Sequence, residues 1–130
     1  MGSKSRVAVI IPAYNEQGSI GRVVSSVKKV ANVDVIVVND GSKDTTETVA
    51  KSAGAIVITH MVNIGKGGAM RTGLRYAMNR YNVVILMDGD GQHDPKTIPR
   101  LLKALQTHDF VIACREFSSD MPFVSRLGNI

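Results

Sequence analysis

The chain has 130 residues, 44% hydrophobic and 21% charged, which suits one domain with a real core and excludes a disordered segment. Sixteen Lys and Arg against eleven Asp and Glu leave a formal charge of +5, favouring anionic partners; yet aromatics are 5%, Trp is absent and the basic residues are scattered, which argues against nucleic acid. The single cysteine, Cys114, excludes an internal disulfide or a thiolate metal site and reads as a small buried hydrophobe.

The N-terminus is short and polar, unlike a secretory signal, and no apolar run approaches the roughly 20 residues a membrane helix needs. The expectation is a cytoplasmic protein, soluble or peripheral at the membrane face.

In chain order, the apolar run 7–11 predicts a first strand, left through Pro12, Ala13, Tyr14, Asn15 and Glu16. Ile20, Val23, Val24, Val27 and Val30 recur at three and four residues and predict an amphipathic helix. Residues 35–38 predict a second strand, followed by Asn39, Asp40, Gly41 and Ser42. A weaker helix starts after Gly41, with Ser42 as cap and Asp44 in its first turn, and stops at Gly54.

A third strand at 56–58 leads into a glycine-rich loop, Gly65-Lys66-Gly67-Gly68, and a helix whose apolar stripe is Met70, Leu74, Ala77, Met78 and Tyr81. The fourth strand, 83–87, runs into Asp88-Gly89-Asp90-Gly91-Gln92-His93-Asp94. Asp94 reads as a turn or cap residue and Pro95 as the first turn of a helix carrying Ile98, Leu101, Leu102 and Leu105. Residues 110–113 predict a fifth strand, and after Arg115 the pattern fades.

Strands that are short and continuous rather than alternating suit a parallel sheet buried on both faces. Their regular alternation with helices predicts an α/β domain with right-handed crossovers.

Ligands in open parallel sheets bind beyond the carboxyl ends of the strands, so the residues after each run carry the functional reading. Asp88 and Asp90 would point the same way if strand geometry persisted, and such a pair repels unless a cation joins it. Mg²⁺ or Mn²⁺ suits, being a hard ion that a site with few protein ligands shares with substrate phosphates. The start of the third helix attracts anions, with Lys66 and Arg71 adding charge beside a diphosphate. Tyr14 can stack on a base, and Asp40 can accept a hydrogen bond from a base or ribose.

Four stretches together resemble the family 2 inverting nucleotide-sugar glycosyltransferases, in the branch of dolichol-phosphate mannose synthase and related polyprenyl-phosphate sugar transferases. They are the segment from Ile11 to Glu16; Val38 to Ser42 with Asp44, Thr45 and Thr46; Asn63 to Ala69 with Arg71; and Met87 to Pro95. The resemblance implies a GT-A fold, a mostly parallel sheet flanked by helices. It places Pro12, Tyr14, Glu16 and Asp40 around the nucleoside of a UDP- or GDP-sugar, and Lys66 and Arg71 near its phosphates.

The same resemblance puts Asp88, Asp90 and Gln92 at the metal, or Asp88 at the ribose. Arg115 looks like the arginine after the fifth strand, and Arg126 with Asn129 looks like the approach to the acceptor site. Family members continue for about another hundred residues, so residues 1–130 read as the nucleotide-sugar-binding portion, with the half that takes a polyprenyl phosphate or glycan acceptor missing. Two further readings stand beside it. One is a non-catalytic or self-associating fragment, a homo-oligomer through the truncated face. The other is a haloacid dehalogenase-type phosphatase, whose Asp-x-Asp normally follows the first strand.

Overall fold

The β-branched runs assemble into one parallel sheet because side chains stiff at χ1 pack well on a pleated surface covered from both sides. The computed structural model describes residues 6–91 and 94–104, with the backbone of 111–112 and 123–124. Its elements are β1 (Val7–Ala13), α1 (Ile20–Val30), β2 (Asp34–Asn39), α2 (Thr46–Ser52), β3 (Ile56–Thr59), α3 (Lys66–Ala77), β4 (Val83–Leu86), α4 (Thr97–Ala104), β5 (Val111–Ile112) and β6 (Phe123–Val124).

The sheet runs in the order β3-β2-β1-β4, all parallel, with Ile10 of β1 opposite Ile36 of β2 and Leu86 of β4. The alternation of side chains along each strand sorts the core into two halves. Val9, Ile11, Val35 and Val37 face Ile20, Val23, Val24 and Val27 of α1, Ala50 of α2, and Ile98 and Leu101 of α4. Ala8, Ile10, Ile36 and Val38 face Ala69 and Ala77 of α3. Ile10, Ile11, Ile36 and Val37 are wholly buried, each contributing about 1.5–3 kcal/mol on transfer from water.

Several expectations need correction. The stripe predicted for α3 was Met70, Leu74, Ala77, Met78 and Tyr81, but Leu74 and Met78 are exposed and the buried positions are Ala69, Gly73 and Ala77. Close approach selects small residues there: a Cβ on Gly73 would lie 2.5 Å from Ile10 Cγ2, so a larger stripe would lift the helix off the sheet. The strand expected at 110–113 appears as β5, yet it pairs antiparallel with β6 in a second, two-stranded sheet.

The N-cap reading of Ser42 also fails, since α2 begins only at Thr46. Asp44 instead serves this end, accepting from Thr46 N at 2.9 Å. Asp94 behaves as expected of a cap residue, accepting from Lys96 N at 2.9 Å ahead of α4.

The strand order fixes where a ligand can sit. From β1 the chain steps one way to β2 and β3, then returns over the opposite face through α3 to β4 on the other side of β1. Neighbouring connections therefore diverge between β1 and β4, and a crevice opens beyond their carboxyl ends. Among the described residues no helix is long and apolar enough to cross a membrane.

Candidate nucleotide and metal site

A cleft of about 420 Å³ occupies that crevice. Pro12, Tyr14 and Glu16 enter it from the end of β1, and Asp88 and Asp90 from the end of β4. Gly65 and Lys66 come from the start of α3, and Asp40 from the end of β2. Seven residues expected at the site from sequence thus converge. Arg71 does not: it is exposed further along α3, outside the cleft lining. Gln92, Arg115, Arg126, Asn129 and Cys114 lie outside the described residues.

The β1 exit is held in place by the loop after β2. Asn15 takes a left-handed conformation, φ 53°, which asparagine tolerates better than most residues. There its N–H donates to Ser42 Oγ at 2.8 Å and its Oδ1 accepts from Lys43 N at 2.8 Å. Glu16 N donates to Thr46 Oγ1 at 2.9 Å, and Gln17 Oε1 accepts from Thr45 Oγ1 at 2.6 Å. These bonds fix the backbone that carries Tyr14 and Glu16 into the cleft, and they explain why polar residues crowd a loop with little apolar surface to bury.

Asp88 and Asp90 reach the cleft in a different way from that expected. β4 ends at Leu86, so the two carboxylates stand on a turn rather than on one side of a continuing strand. Gly91, φ 83°, closes that turn. Ser19 steadies it by donating to Gly89 O at 2.8 Å. From its place just before α1 that serine reads as an N-cap, but it makes no capping bond. Lys66 Nζ forms an ion pair with Asp88 Oδ1, the lysine largely exposed and the aspartate mostly covered. The helix start and the carboxylate turn are therefore electrostatically joined across the cleft.

Asp40 is 3% exposed, and most of its acceptor capacity is already spoken for. Oδ1 accepts from Ile64 N at 2.9 Å and from His60 Nδ1 at 2.8 Å, and Oδ2 from Gly65 N at 2.8 Å. A carboxylate offers about four lone-pair positions, so a nucleoside donor is left with the second one on Oδ2. Burial opposes ionisation of this group, but the bonds from His60, Ile64 N and Gly65 N together outweigh it and hold the carboxyl below its ordinary range.

Two more carboxylates are held low. Asp44 is lowered chiefly by the Thr46 hydroxyl and Glu47 by the Thr59 hydroxyl, with Lys51 assisting. Each of the three binds protons less readily folded than unfolded, so their contribution to stability is complete above the ordinary values of 3.8 and 4.5 and is lost as pH falls through the lowered ones. Thermal melts should therefore be flat from neutrality to about pH 5 and drop below about pH 4, with a shallower drop in Asp44→Asn. A melting temperature that holds steady to about pH 3 contradicts this assignment.

The fold and cleft define an open parallel α/β protein with a carboxylate turn facing a helix start at the switch point of its sheet. Residues 8–129 match the model of glycosyl transferase family 2, and the chain belongs to that family. It is 39% identical over 117 residues to undecaprenyl-phosphate mannosyltransferase of Micrococcus luteus, covering 85% of this chain and 48% of that protein. It is 31% identical over 149 residues to a UDP-N-acetylglucosamine–dolichyl-phosphate N-acetylglucosaminyltransferase of Methanococcus voltae, covering 95% of this chain and 59% of that one.

Glucosyl-3-phosphoglycerate synthase of Mycobacterium tuberculosis, solved with Mn²⁺, UDP and glucosyl-3-phosphoglycerate, superposes with a TM-score of 0.67 at 31% identity, over 79% of this chain and 40% of that one. The fold is that of the GT-A glycosyltransferases. The chain spans about half the length of the curated relatives named here.

Proposed function

We propose that this chain is the donor-binding portion of an inverting glycosyltransferase that takes a UDP- or GDP-sugar with Mg²⁺ or Mn²⁺ and passes the sugar to a polyprenyl phosphate or a glycan hydroxyl. The observation that carries the reading is the convergence of Asp88, Asp90 and Lys66 on one cleft at the switch point of the sheet. The names of the relatives support a polyprenyl-phosphate acceptor, and the Mn²⁺ and UDP of the structural neighbour support the metal and the donor.

The residues present fit a hard divalent ion. Asp88 and Asp90 both line the cleft, and among the described residues no cluster of three His, Cys, Asp or Glu could enclose a metal alone. Such a site completes its shell with phosphate and water oxygens, which ties metal binding to donor binding. Asp88 and Asp90 would hold the ion, with Gln92 as a further ligand. The ion would neutralise charge growing on the departing diphosphate.

The chain's own groups do the rest. Amides at the start of α3 and the Lys66 ammonium attract the diphosphate, and Tyr14 offers a face to the base. The acceptor oxygen forms its bond to the anomeric carbon as the bond from that carbon to the diphosphate breaks, the electron pair leaving with the diphosphate. A phosphate acceptor is already anionic and scarcely needs a base, whereas a hydroxyl does.

Calorimetry with UDP, GDP, CDP and ADP, each with and without Mn²⁺, tests the reading. The expected result is metal-dependent binding of UDP or GDP; binding indifferent to Mn²⁺ refutes it. The phosphatase alternative would require phosphate release from a simple phosphomonoester. The Asp-x-Asp follows β4 rather than β1, which speaks against it.

A further inference from the structure

Behind the cleft, one imidazole bridges three elements. His60 follows β3 directly, and its N–H donates to Asn39 O at 2.9 Å. Its Nδ1 lies 2.8 Å from Asp40 Oδ1 and its Nε2 2.8 Å from Thr72 Oγ1 on α3. The side chain is 14% exposed, and His60 does not line the cleft.

The loop between β3 and α3 has little else to hold it. Met61, Val62 and Ile64 are 99%, 66% and 54% exposed, so apolar burial contributes almost nothing to their placement. What fixes this loop is polar and convergent on one residue. Asp40 accepts from Ile64 N and Gly65 N through its carboxylate, and from Asn63 Nδ2 through its backbone carbonyl at 3.2 Å. The carboxylate could turn about its terminal torsion, which is soft, and release those amides. His60 meets Oδ1 from the β3 side and Thr72 holds the far edge of the ring, so the carboxylate plane is set by contacts outside the loop it organises.

We infer that His60, backed by Thr72, is a positioning residue for nucleotide binding: it orients Asp40, which fixes residues 61–65 and so places Lys66 and the first amides of α3 at the cleft. The inference rests on the cleft being the nucleoside diphosphate site. His60 lies outside the cleft lining, and its effect passes through Asp40 and α3.

The test combines two readouts on His60→Ala, His60→Asn and Thr72→Val. In amide ¹H–¹⁵N spectra without ligand, His60→Ala should shift or broaden Ile64 and Gly65 while leaving core amides such as Ile10 and Val37 in place. UDP with Mn²⁺ should bind about tenfold more weakly to His60→Ala, a loss in keeping with one buried acceptor left short of a donor. His60→Asn, whose Nδ2 stands where Nδ1 did and keeps an N–H for Asp40, should recover part of both effects.

Thr72→Val exchanges the hydroxyl for a methyl, losing its bond to Gly68 O at 3.1 Å as well as the His60 contact, and should show the same loop changes more mildly, which keeps the test open if His60→Ala fails to fold. Unchanged Ile64 and Gly65 signals in the folded variants overturn the inference, as does wild-type affinity in His60→Ala. Wild-type protein that binds no nucleoside diphosphate overturns the donor-site reading instead, and the ligand-free spectra still decide whether His60 sets the loop.

Discussion

Asp90→Asn and Asp88→Asn are expected to remove metal-dependent nucleotide binding while leaving the fold intact. Both side chains stand on the turn after β4 rather than inside the core, and Asp90 is exposed. The substitution keeps side-chain volume while removing the charge and exchanging one acceptor oxygen for an NH2 donor. Asp88 loses its ion pair with Lys66, but that lysine is largely open to solvent and remains hydrated, so the stability cost should stay within about 1 kcal/mol.

Binding should respond far more. A divalent ion held by two protein carboxylates loses half its protein charge with either one, and the expected fall is about a hundredfold in the affinity for UDP with Mn²⁺, or roughly 2.7 kcal/mol. Calorimetry with and without Mn²⁺, beside thermal melts, separates the two effects. Equal Mn²⁺ dependence in wild type and Asp90→Asn would remove the aspartate from the site, and a large fall in melting temperature would recast it as structural.

The second large effect is expected at Gly41. Its φ is +73°, a region costly to residues with a Cβ, and that Cβ would lie 2.6 Å from both Val62 C and Asn63 N. The atoms it meets are backbone, so no side-chain rotation relieves the clash and the 61–65 loop must move. Gly41→Ala should cost about 3 kcal/mol, or roughly ten degrees in melting temperature, and should also weaken UDP binding, because the displaced loop leads into Lys66.

Gly73→Ala is the control that separates packing from position. Its Cβ would meet Ile10 Cγ2 at 2.5 Å and Val38 Cγ2 at 3.3 Å, in the core and away from the cleft. Overpacking there costs about 1–3 kcal/mol, partly offset by better helix propensity, and nucleotide affinity should change little. If Gly41→Ala loses stability but keeps wild-type affinity, the loop does not govern the site.

Much of this molecule is legible in its sequence. Continuous Val and Ile runs announced β1 to β4 because strands covered on both faces have no polar side to show. The valine spacing of α1 marked that helix from Ile20 to Val30, matching its observed bounds. The cleft residues were findable because parallel strands present their exits at one rim, so Tyr14, Asp40, Lys66, Asp88 and Asp90 had to gather there if the strands formed at all.

Other features had no local signature. A hydrophobic stripe predicts which face of α3 is buried only when large side chains make the contact; here Ala69, Gly73 and Ala77 do, because the helix lies too close to Ile10 for anything bigger. His60 and Ser19 look ordinary in sequence, a histidine after a strand and a serine before a helix. Their partners, Asp40 and Gly89, lie 20 and 70 residues away.

Local sequence determined the main strands and helices and the rim on which polar residues collect, since those follow from side-chain period and chain connectivity alone. Which carboxylate meets the lysine, which histidine orients Asp40, and how closely α3 approaches the sheet were decided only by tertiary structure. Those contacts join residues far apart in the chain, and their energies come from distances of a few ångströms that no one-dimensional pattern encodes.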